Sequence, residues 1–432
     1  MQKIENLIKQ KKAKVAIIGL GYVGLPHAVE IAKTGFDVYG IDIQKKRIES
    51  INNGISYIED VKDDELKLVV KKKKKLKAFY NFSSLKKADV VIICVPTPLD
   101  KYKIPDISYI KSSANEIKKY LHKDELVILE STTYPGTTEE ILLPILEQNG
   151  MKAGQDFFLA FAPERIDPGN TTPLSEIPKV LGGVTKNCTK LAGLFYRQFL
   201  EEVYPVSSPK AAEMTKILEN TYRLINISAI NELSLLCGKM GIDIWEVIEA
   251  AKTKPYGFHP FYPSAKIGGH CIPLDPFYLS WKSKEYNFWA RFIELAGEIN
   301  EQMPHMVVVR ITSVLNKQKK PIKGSKILVW GVAYKKDIAD PRESAAYEII
   351  PELIKKGAII NYFDPFNKEF EVGGKKLKSI KYKPSEIKKY DLILILTDHS
   401  GFNYEAIAKN AKLVVDTRNA IKSRKHKNVS WW

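Results

Sequence analysis

Lys14-Val-Ala-Ile-Ile-Gly19-Leu-Gly21-Tyr-Val-Gly24 is the stretch on which the fold turns. A short apolar run leads into three glycines, and a helical pattern through Ala28, Ile31 and Ala32 follows. Gly35 stops that helix, and Asp37-Val-Tyr-Gly-Ile-Asp42 reads as a second strand. A lone Gly-x-Gly-x-x-Gly carries little weight. Here it lies between a strand and a helix, and Asp42 ends the next strand 18 residues after Gly24, which makes it specific. Gly19 permits the tight turn, Gly21 lets a pyrophosphate approach the backbone, and Gly24 lets helix pack closely on strand. The helix N-terminus offers N–H groups and partial positive charge to the phosphates. Asp42 is expected to bind the adenosine ribose hydroxyls and repel a 2′-phosphate, so the cofactor is NAD rather than NADP. Arg47 reads equally well as a residue over the adenine or as a surface helix residue.

Further apolar runs follow at Asp89-Val-Val-Ile-Ile-Cys-Val95, Leu126-Val-Ile-Leu129, Phe157-Phe-Leu-Ala160 and Lys179-Val-Leu181, several of them separated by helical patterns. That alternation predicts a doubly wound sheet. Between residues 209 and 250 the strands cease, and residues 211–239 read as one long helix, apolar over most of its circumference, largely buried and offering a subunit contact. A second α/β pattern begins at Lys326-Ile-Leu-Val-Trp-Gly331 and runs through Ala358-Ile-Ile-Asn-Tyr-Phe-Asp364, Tyr390-Asp-Leu-Ile-Leu-Ile-Leu396 and Ala411-Lys-Leu-Val-Val-Asp416, without the glycine-rich turn. The fold class expected is therefore α/β: two Rossmann-like doubly wound domains, residues 1–205 and 316–432, flanking a central helical domain, residues 206–315. The tail Ser423-Arg-Lys-His-Lys-Asn-Val-Ser-Trp-Trp432 reads as loose.

At 432 residues the chain can bury substantial cores. Its four cysteines, Cys94, Cys188, Cys237 and Cys271, have neither metal-ligand spacing nor a disulfide framework, so no metal site is expected and a reducing cytoplasm fits best. No apolar stretch is long enough to span a bilayer, and the first residues do not read as a signal peptide. The net charge of +17 comes mostly from scattered lysines, with one dense run at Lys71 to Lys75 and no aromatic-interleaved basic stripe. It reads as solvated surface rather than a nucleic-acid site, although an anionic small substrate would profit from the field.

Downstream lies Gly268-Gly269-His270-Cys271-Ile272-Pro273-Leu274-Asp275. A cysteine there could be a small buried hydrophobe. Two glycines, however, let ligands approach the backbone, and a thiolate beside cationic or N–H-rich groups has a depressed pKa. A nicotinamide alone oxidises an alcohol to a carbonyl; a nucleophilic thiol beside it traps the aldehyde, which loses a second hydride to become a thioester. On the long helix, Lys216 and Asn220 share a face, with Glu213 one turn earlier. Such polar groups are either exposed or functional. An ammonium and an amide aimed at a carbonyl oxygen would stabilise a tetrahedral oxyanion.

On these residues the chain resembles the UDP-glucose/GDP-mannose dehydrogenase family along essentially its whole length. The matching segments are Gly19-Leu-Gly-Tyr-Val-Gly24, Val95-Pro-Thr-Pro98, Glu130-Ser-Thr-Thr133, Ala162-Pro-Glu-Arg165, Lys216 with Asn220, residues 268–275, Ala333-Tyr-Lys-Lys-Asp337 and Arg342-Glu-Ser344. Within the family it is most similar to the UDP-N-acetylglucosamine 6-dehydrogenases. The closer signature is Glu213-Met-Thr-Lys216, Gly269-His-Cys-Ile-Pro273 with Asp275-Pro-Phe-Tyr-Leu279, and Arg291-Phe-Ile-Glu-Leu-Ala-Gly297. UDP-glucose dehydrogenases usually carry lysine where this chain has Leu274, which argues against glucose.

The resemblance implies roles. Cys271 is the nucleophile, Lys216 and Asn220 steady the oxyanion, and Asp275 orients or deprotonates water. Glu164 and Thr132 serve proton transfer and thioester hydrolysis. Tyr22, Val23, Pro96, Thr97, Thr132 and Arg342 join Gly19, Gly21, Gly24, Asp42 and Arg47 around NAD. Lys335, Arg418, Arg165, Tyr262 and Gly268, with Glu164, Lys216 and Asn220, contact the nucleotide sugar. Left alone, Arg418 would read as an ordinary strand-end charge.

The expected reaction is a four-electron oxidation of the C6 alcohol of a UDP-N-acetylhexosamine, with UDP-N-acetyl-D-glucosamine as the first choice. The mannosamine and galactosamine epimers, and then UDP-glucose, are the alternatives. A homodimer or higher homo-oligomer and a place in capsule or lipopolysaccharide synthesis follow from the resemblance. A one-step β-hydroxyacid dehydrogenase shares the Rossmann-plus-helices plan but needs no thiol. A nucleotide-sugar sensor would bind without turnover.

Overall fold

The computed structural model describes the whole chain except residues 59 and 166–171. It folds as two compact units, one comprising Met1–Glu219 with Trp281–Phe288, the other Asn220–Ser280 with Trp289–Trp432.

The first unit is built on a sheet of strands β1 (Lys14–Ile18), β2 (Asp37–Ile41), β3 (Leu76–Phe79), β4 (Val90–Ile93), β5 (Leu126–Leu129), β6 (Phe158–Phe161), β7 (Lys179–Gly183) and β8 (Val203–Pro205), in the order β3-β2-β1-β4-β5-β6-β7-β8. β1 pairs in parallel with β2 and β4, and only the β6–β7 pair is antiparallel. Alternate side chains of β1 enter different cores: Val15 and Ile17 pack on one face, Ala16 and Ile18 on the other. Both faces are covered, as a doubly wound sheet requires, which is why its strands read as unbroken apolar runs. The helix Gly24–Lys33 puts Leu25, Ala28, Ile31 and Ala32 against the first of these cores.

In the lysine run Lys71 to Lys75, residues 71–74 are exposed, and two of the five side chains make contacts. Lys73 donates to the carbonyl of Lys33 at 2.9 Å, and Lys75 pairs with Asp37 at 2.8 Å.

Helices Pro209–Met240, Ile244–Lys252, Asp275–Ser283 and Arg291–Lys317 make up the helical stretch. Pro209–Met240 departs from expectation. Its buried residues include Glu213, Lys216, Asn220, Ser228, Asn231 and Ser234, whereas Leu218 (57%), Tyr222, Leu233, Leu236 and Met240 are exposed. A helix apolar over most of its circumference does not reveal which sector its own chain covers. Here the packed sector carries the polar groups.

The second unit contains β9 (Lys326–Trp330), β10 (Ile359–Phe363), the antiparallel ribbon β11 (Glu369–Val372) and β12 (Lys375–Lys378), β13 (Leu392–Ile395), β14 (Val414–Asp416) and β15 (Val429–Trp431). The main sheet runs β10-β9-β13-β14-β15, all parallel. This is the other common doubly wound order. Ile327 and Val329 pack on one face, Leu328 and Trp330 on the opposite one.

The expectation of a loose tail is corrected here. Residues 429–431 are the edge strand β15, and Trp432 is 6% exposed. Trp245 Nε1 donates to the carbonyl of Trp432 at 3.1 Å, and Trp431 Nε1 to that of Ile421 at 2.9 Å. The Arg424 guanidinium lies 4.6 Å from the Trp431 ring centroid. Two indoles bury enough apolar area to hold a strand despite the basic residues before it.

Candidate functional site

The expected site residues divide between the two units. In the first, Gly19 adopts φ +92°, and a Cβ there would stand 2.4 Å from the Cys94 carbonyl oxygen; at Gly24 a Cβ would meet the Gly19 oxygen at 1.9 Å. Neither position admits a side chain. Gly21 differs, because a Cβ there would meet nothing within 4 Å. That open space, just ahead of the helix Gly24–Lys33, is where a pyrophosphate can approach the backbone. Tyr22 beside it is substantially exposed and Val23 half-buried.

Asp42 follows β2 directly and is buried. Its carboxylate accepts the Leu20 N–H at 3.0 Å and the Gln44 N–H at 2.8 Å, and pairs with Arg47 at 3.2 Å. The Arg47 guanidinium lies 5.5 Å from the Tyr57 ring centroid, and the Tyr57 hydroxyl donates to the Leu20 carbonyl. Tyr57 thus braces the glycine turn, a contact with no signal in the sequence. These residues fit NAD: a glycine with open space, a helix N-terminus, and an acid at the end of the second strand.

Pro96 is exposed after β4, while the Thr97 hydroxyl donates to the Thr132 carbonyl at 2.7 Å, joining the segments after β4 and β5. Glu213 is fully buried and accepts the N–H groups of Gly136 and Thr138 and the Thr138 hydroxyl at 2.7 Å. Burial pushes its carboxyl up to about 7, against the pull of those donors. It ties the Thr132 loop to the helix that carries Lys216, which is itself buried one turn further on.

Glu164 is buried after β6 and lies 2.6 Å from His27 Nε2 and 3.0 Å from Lys179 Nζ. Arg165 is committed to Glu219, at 2.6 Å, and to the carbonyl of Pro178, at 2.8 Å.

In the second unit, Asn220 and Asp275 come together: the Asn220 amide donates to Asp275 at 2.6 Å. Asp275 opens the helix Asp275–Ser283, and its N–H bonds the Cys271 carbonyl at 2.8 Å, so the thiol-bearing residue forms the turn leading into that helix. Cys271 is half-buried, unlike the buried Cys94 and Cys188. Gly268 and Gly269 press on Tyr334: a Cβ on Gly268 would stand 2.6 Å from the Tyr334 Cβ, and one on Gly269 2.8 Å from its ring. Gly269 N–H also bonds the Arg342 carbonyl at 3.2 Å. Only glycine allows the cysteine loop to lie this close to the segment bearing Lys335.

Arg418 donates to the Tyr334 carbonyl at 3.3 Å. It lines a cavity of about 340 Å³ with Trp245, Glu249, Tyr262, Asn419 and Lys422. There Tyr262 stacks on Trp245 and its hydroxyl bonds Glu249 at 2.7 Å. Arg342 is gripped by Asp340 at 2.6 Å.

A cofactor fingerprint, a thiol on a glycine loop and a second nucleotide-sized sheet define a nucleotide-dependent oxidoreductase. Three family profiles extend that reading. Residues 13–200 match the NAD binding domain of the UDP-glucose/GDP-mannose dehydrogenase family, residues 210–302 its central domain, and residues 328–423 its UDP binding domain. The chain belongs to that family and is an NAD-dependent UDP-sugar dehydrogenase.

It is 38% identical over 359 residues to the UDP-N-acetyl-D-glucosamine 6-dehydrogenase of Pseudomonas aeruginosa, covering 82% of this chain and 83% of that one. It is 34% identical over 432 residues to the UDP-N-acetyl-D-mannosamine dehydrogenase of Methanococcus vannielii, covering 96% and 94%. A solved UDP-D-ManNAc dehydrogenase from Pyrococcus horikoshii superposes with a TM-score of 0.87 at 33% identity, over 97% of this chain and 98% of that chain. Among the described residues, no helix is long and apolar enough to cross a membrane.

Proposed function

We propose that the chain oxidises the C6 alcohol of UDP-N-acetyl-D-glucosamine to the carboxylate through a thioester on Cys271. The balanced reaction consumes two NAD⁺ and one water and gives the uronate, two NADH and three protons. The observation that carries it is the Asn220–Asp275 hydrogen bond on the same frame as the Cys271 turn. An amide donor, a carboxylate and a half-buried thiol are the groups that thioester formation and hydrolysis require.

Residues 1–205 hold NAD through Gly19, Gly21, Tyr22, Val23, Gly24, Asp42, Arg47, Pro96, Thr97 and Thr132, with Arg342 from beyond them. NAD, when bound, supplies the hydride acceptor for both oxidations. Glu164 and Thr132 serve the proton of the C6 alcohol. Cys271 adds to the aldehyde carbon, and Lys216 and Asn220 donate to the oxygen that becomes negative. Covalent capture keeps the aldehyde from escaping. Asp275, oriented by Asn220, directs the water that cleaves the thioester. Lys335 and Arg418 contact the nucleotide sugar, and Tyr262, Arg165 and Gly268 border its sugar pocket.

A second reading, UDP-N-acetyl-D-mannosamine, is favoured by the mannosamine dehydrogenases that align over more of the chain. The exposed apolar sector of Pro209–Met240 supports a homodimer, and a cytoplasmic place suits an enzyme with a half-buried reactive thiol.

Steady-state turnover on UDP-N-acetylglucosamine, its mannosamine and galactosamine epimers and UDP-glucose tests the choice. Kcat/KM should be highest for the glucosamine and about 10-fold or more above that for UDP-glucose. Highest turnover of the mannosamine selects the second reading. Highest turnover of UDP-glucose overturns both.

A further inference from the structure

A buried ionic cluster in the first unit surrounds Glu164, and its other members have no part in the reaction as written. His27, on the helix Gly24–Lys33 just behind the cofactor turn, has both ring nitrogens against carboxylates: Nδ1 is 2.6 Å from Glu130 and Nε2 is 2.6 Å from Glu164. Lys179, at the start of β7, bridges the same two acids at 3.1 and 3.0 Å. Cys94 follows β4 and its thiol lies 3.4 Å from Glu130; the Tyr196 hydroxyl, from the helix Lys186–Tyr196, also donates to Glu130. All six side chains are buried.

His27, Cys94 and Glu130 lie close enough to hold a metal ion. The pairing speaks against one. Both histidine nitrogens already face acids, and a buried ammonium already neutralises the carboxylates a divalent cation would need.

The cluster is electrically balanced when His27 is protonated: two cations face two carboxylates. Burial alone would lower the His27 pKa, but Glu130 and Glu164 overcome it and hold it at about 9. Against the same burial, Lys179 and His27 keep Glu164 well below the usual carboxylate range.

The geometry around Glu164 is directional. It sits on an irregular segment after β6, so no helix or strand orients its side chain. Its Oε2 faces both His27 and Lys179, and its Oε1 accepts the Arg165 N–H at 2.7 Å. Of these partners, only His27 belongs to the helix on which the cofactor turn opens.

We infer that His27 is a positioning residue for Glu164, fixing from the cofactor-binding helix the carboxylate that serves proton transfer and thioester hydrolysis. The inference rests on the proposed role of Glu164. Without His27, Glu164 loses its contact with the helix Gly24–Lys33 while keeping those to Lys179 and the Arg165 N–H, among others. The carboxylate is then held less firmly towards the cofactor helix, and less of it stays ionised as pH falls.

The test is a double-mutant cycle in the full-length enzyme on whichever UDP-N-acetylhexosamine it turns over fastest. His27→Gln should lower kcat about 10-fold at pH 7, within the range a positioned acid–base group supplies. The KM for NAD and for the sugar should stay within about threefold, and the acid limb of the kcat profile should move to higher pH. In a Glu164→Gln background the same substitution should cost less than about twofold, because a group acting only through Glu164 has nothing left to position. If His27→Gln fails to fold, the charge-balanced pair His27→Leu with Glu130→Gln takes its place in the cycle.

An equal fall in kcat with and without Glu164 overturns the inference, since that marks a merely structural role. Undiminished kcat in His27→Gln beside a slow Glu164→Gln overturns it while leaving the Glu164 assignment standing. Undiminished kcat in Glu164→Gln removes that assignment first, and the inference with it.

Discussion

The two α/β halves share a frame and use it differently. In each, the first strand ends in a glycine of positive φ whose N–H bonds the last residue of the second strand: Gly19 to Ile41 and Gly331 to Phe363, both at 2.8 Å. In each, a Cβ on that glycine would strike the segment after the neighbouring strand, at Cys94 or Thr397, at 2.4 Å. In each, an acid closing the second strand accepts N–H groups from the turn. Asp42 takes that of Leu20, and Asp364 takes those of Val332 and Ala333, at 2.8 and 3.2 Å.

From there they diverge. The first helix begins at Gly24 after a turn of minimal length, leaving open space at Gly21. In the second half Ala333 stands where Gly21 would, and the helix does not begin until Ala346. Residues 332–345 instead present side chains, among them Tyr334, Lys335 and Arg342. Asp364 is fully engaged, with Phe366, Asn367 and His399 as further donors. One half leaves open space beside backbone at a helix N-terminus; the other carries a side-chain loop packed on Gly268 and Gly269. A strand frame fixes where a ligand binds, and the turn decides which chemistry meets it.

Substitutions at matching positions break or sharpen that contrast. Gly21→Val fills the open space and should raise the NAD Kd on the order of 100-fold, the equivalent of overpacking by about 3 kcal/mol. Ala333→Gly should leave the NAD Kd unchanged. Equal effects in fluorescence titrations would erase the distinction.

The paired acids come next. Asp42→Asn should weaken NAD about 10-fold, the worth of a charged hydrogen bond, and narrow the preference over NADP. Asp364→Asn should leave NAD binding alone and lower Tm by several degrees, since a buried donor is left unsatisfied at a cost of about 1–3 kcal/mol.

The smallest effect is on pH dependence. The His27 pKa is raised to about 9 in the folded chain, so its stabilisation is full below about 6.5 and lost as pH rises through about 9. Asp364 is lowered to about 2, burial being outweighed by its His399 and backbone donors. Its stabilisation is therefore present above about 3.9 and lost as pH falls through about 2. Calorimetry from pH 6 to pH 9.5 should show the first unit weakening while the second holds. Simultaneous weakening would contradict this assignment.

The legible parts of the chain were those whose meaning is local. The three glycines, Asp42 and the apolar strands each state their geometry within a few residues. Cys271, Asp275 and Asn220 were legible as candidates, but the Asn220–Asp275 bond joins positions 55 residues apart and needed the fold. His27 had no signal beyond being a polar residue in an apolar helix; its neighbours in the cluster lie far along the chain, Glu130 just after β5, Glu164 after β6 and Lys179 at the start of β7. The tail was misread for a similar reason, because what holds Trp432 is a strand and an indole far back in the chain. For the helix Pro209–Met240 the pattern gave the element, and only packing could show which sector is covered.

The most direct measurement counts NADH formed per UDP-sugar consumed, with sugar limiting and the acid product weighed by mass spectrometry. Thioester chemistry at Cys271 requires about two NADH per sugar, all of it recovered as the uronate. One NADH per sugar, with free aldehyde in solution, would contradict it.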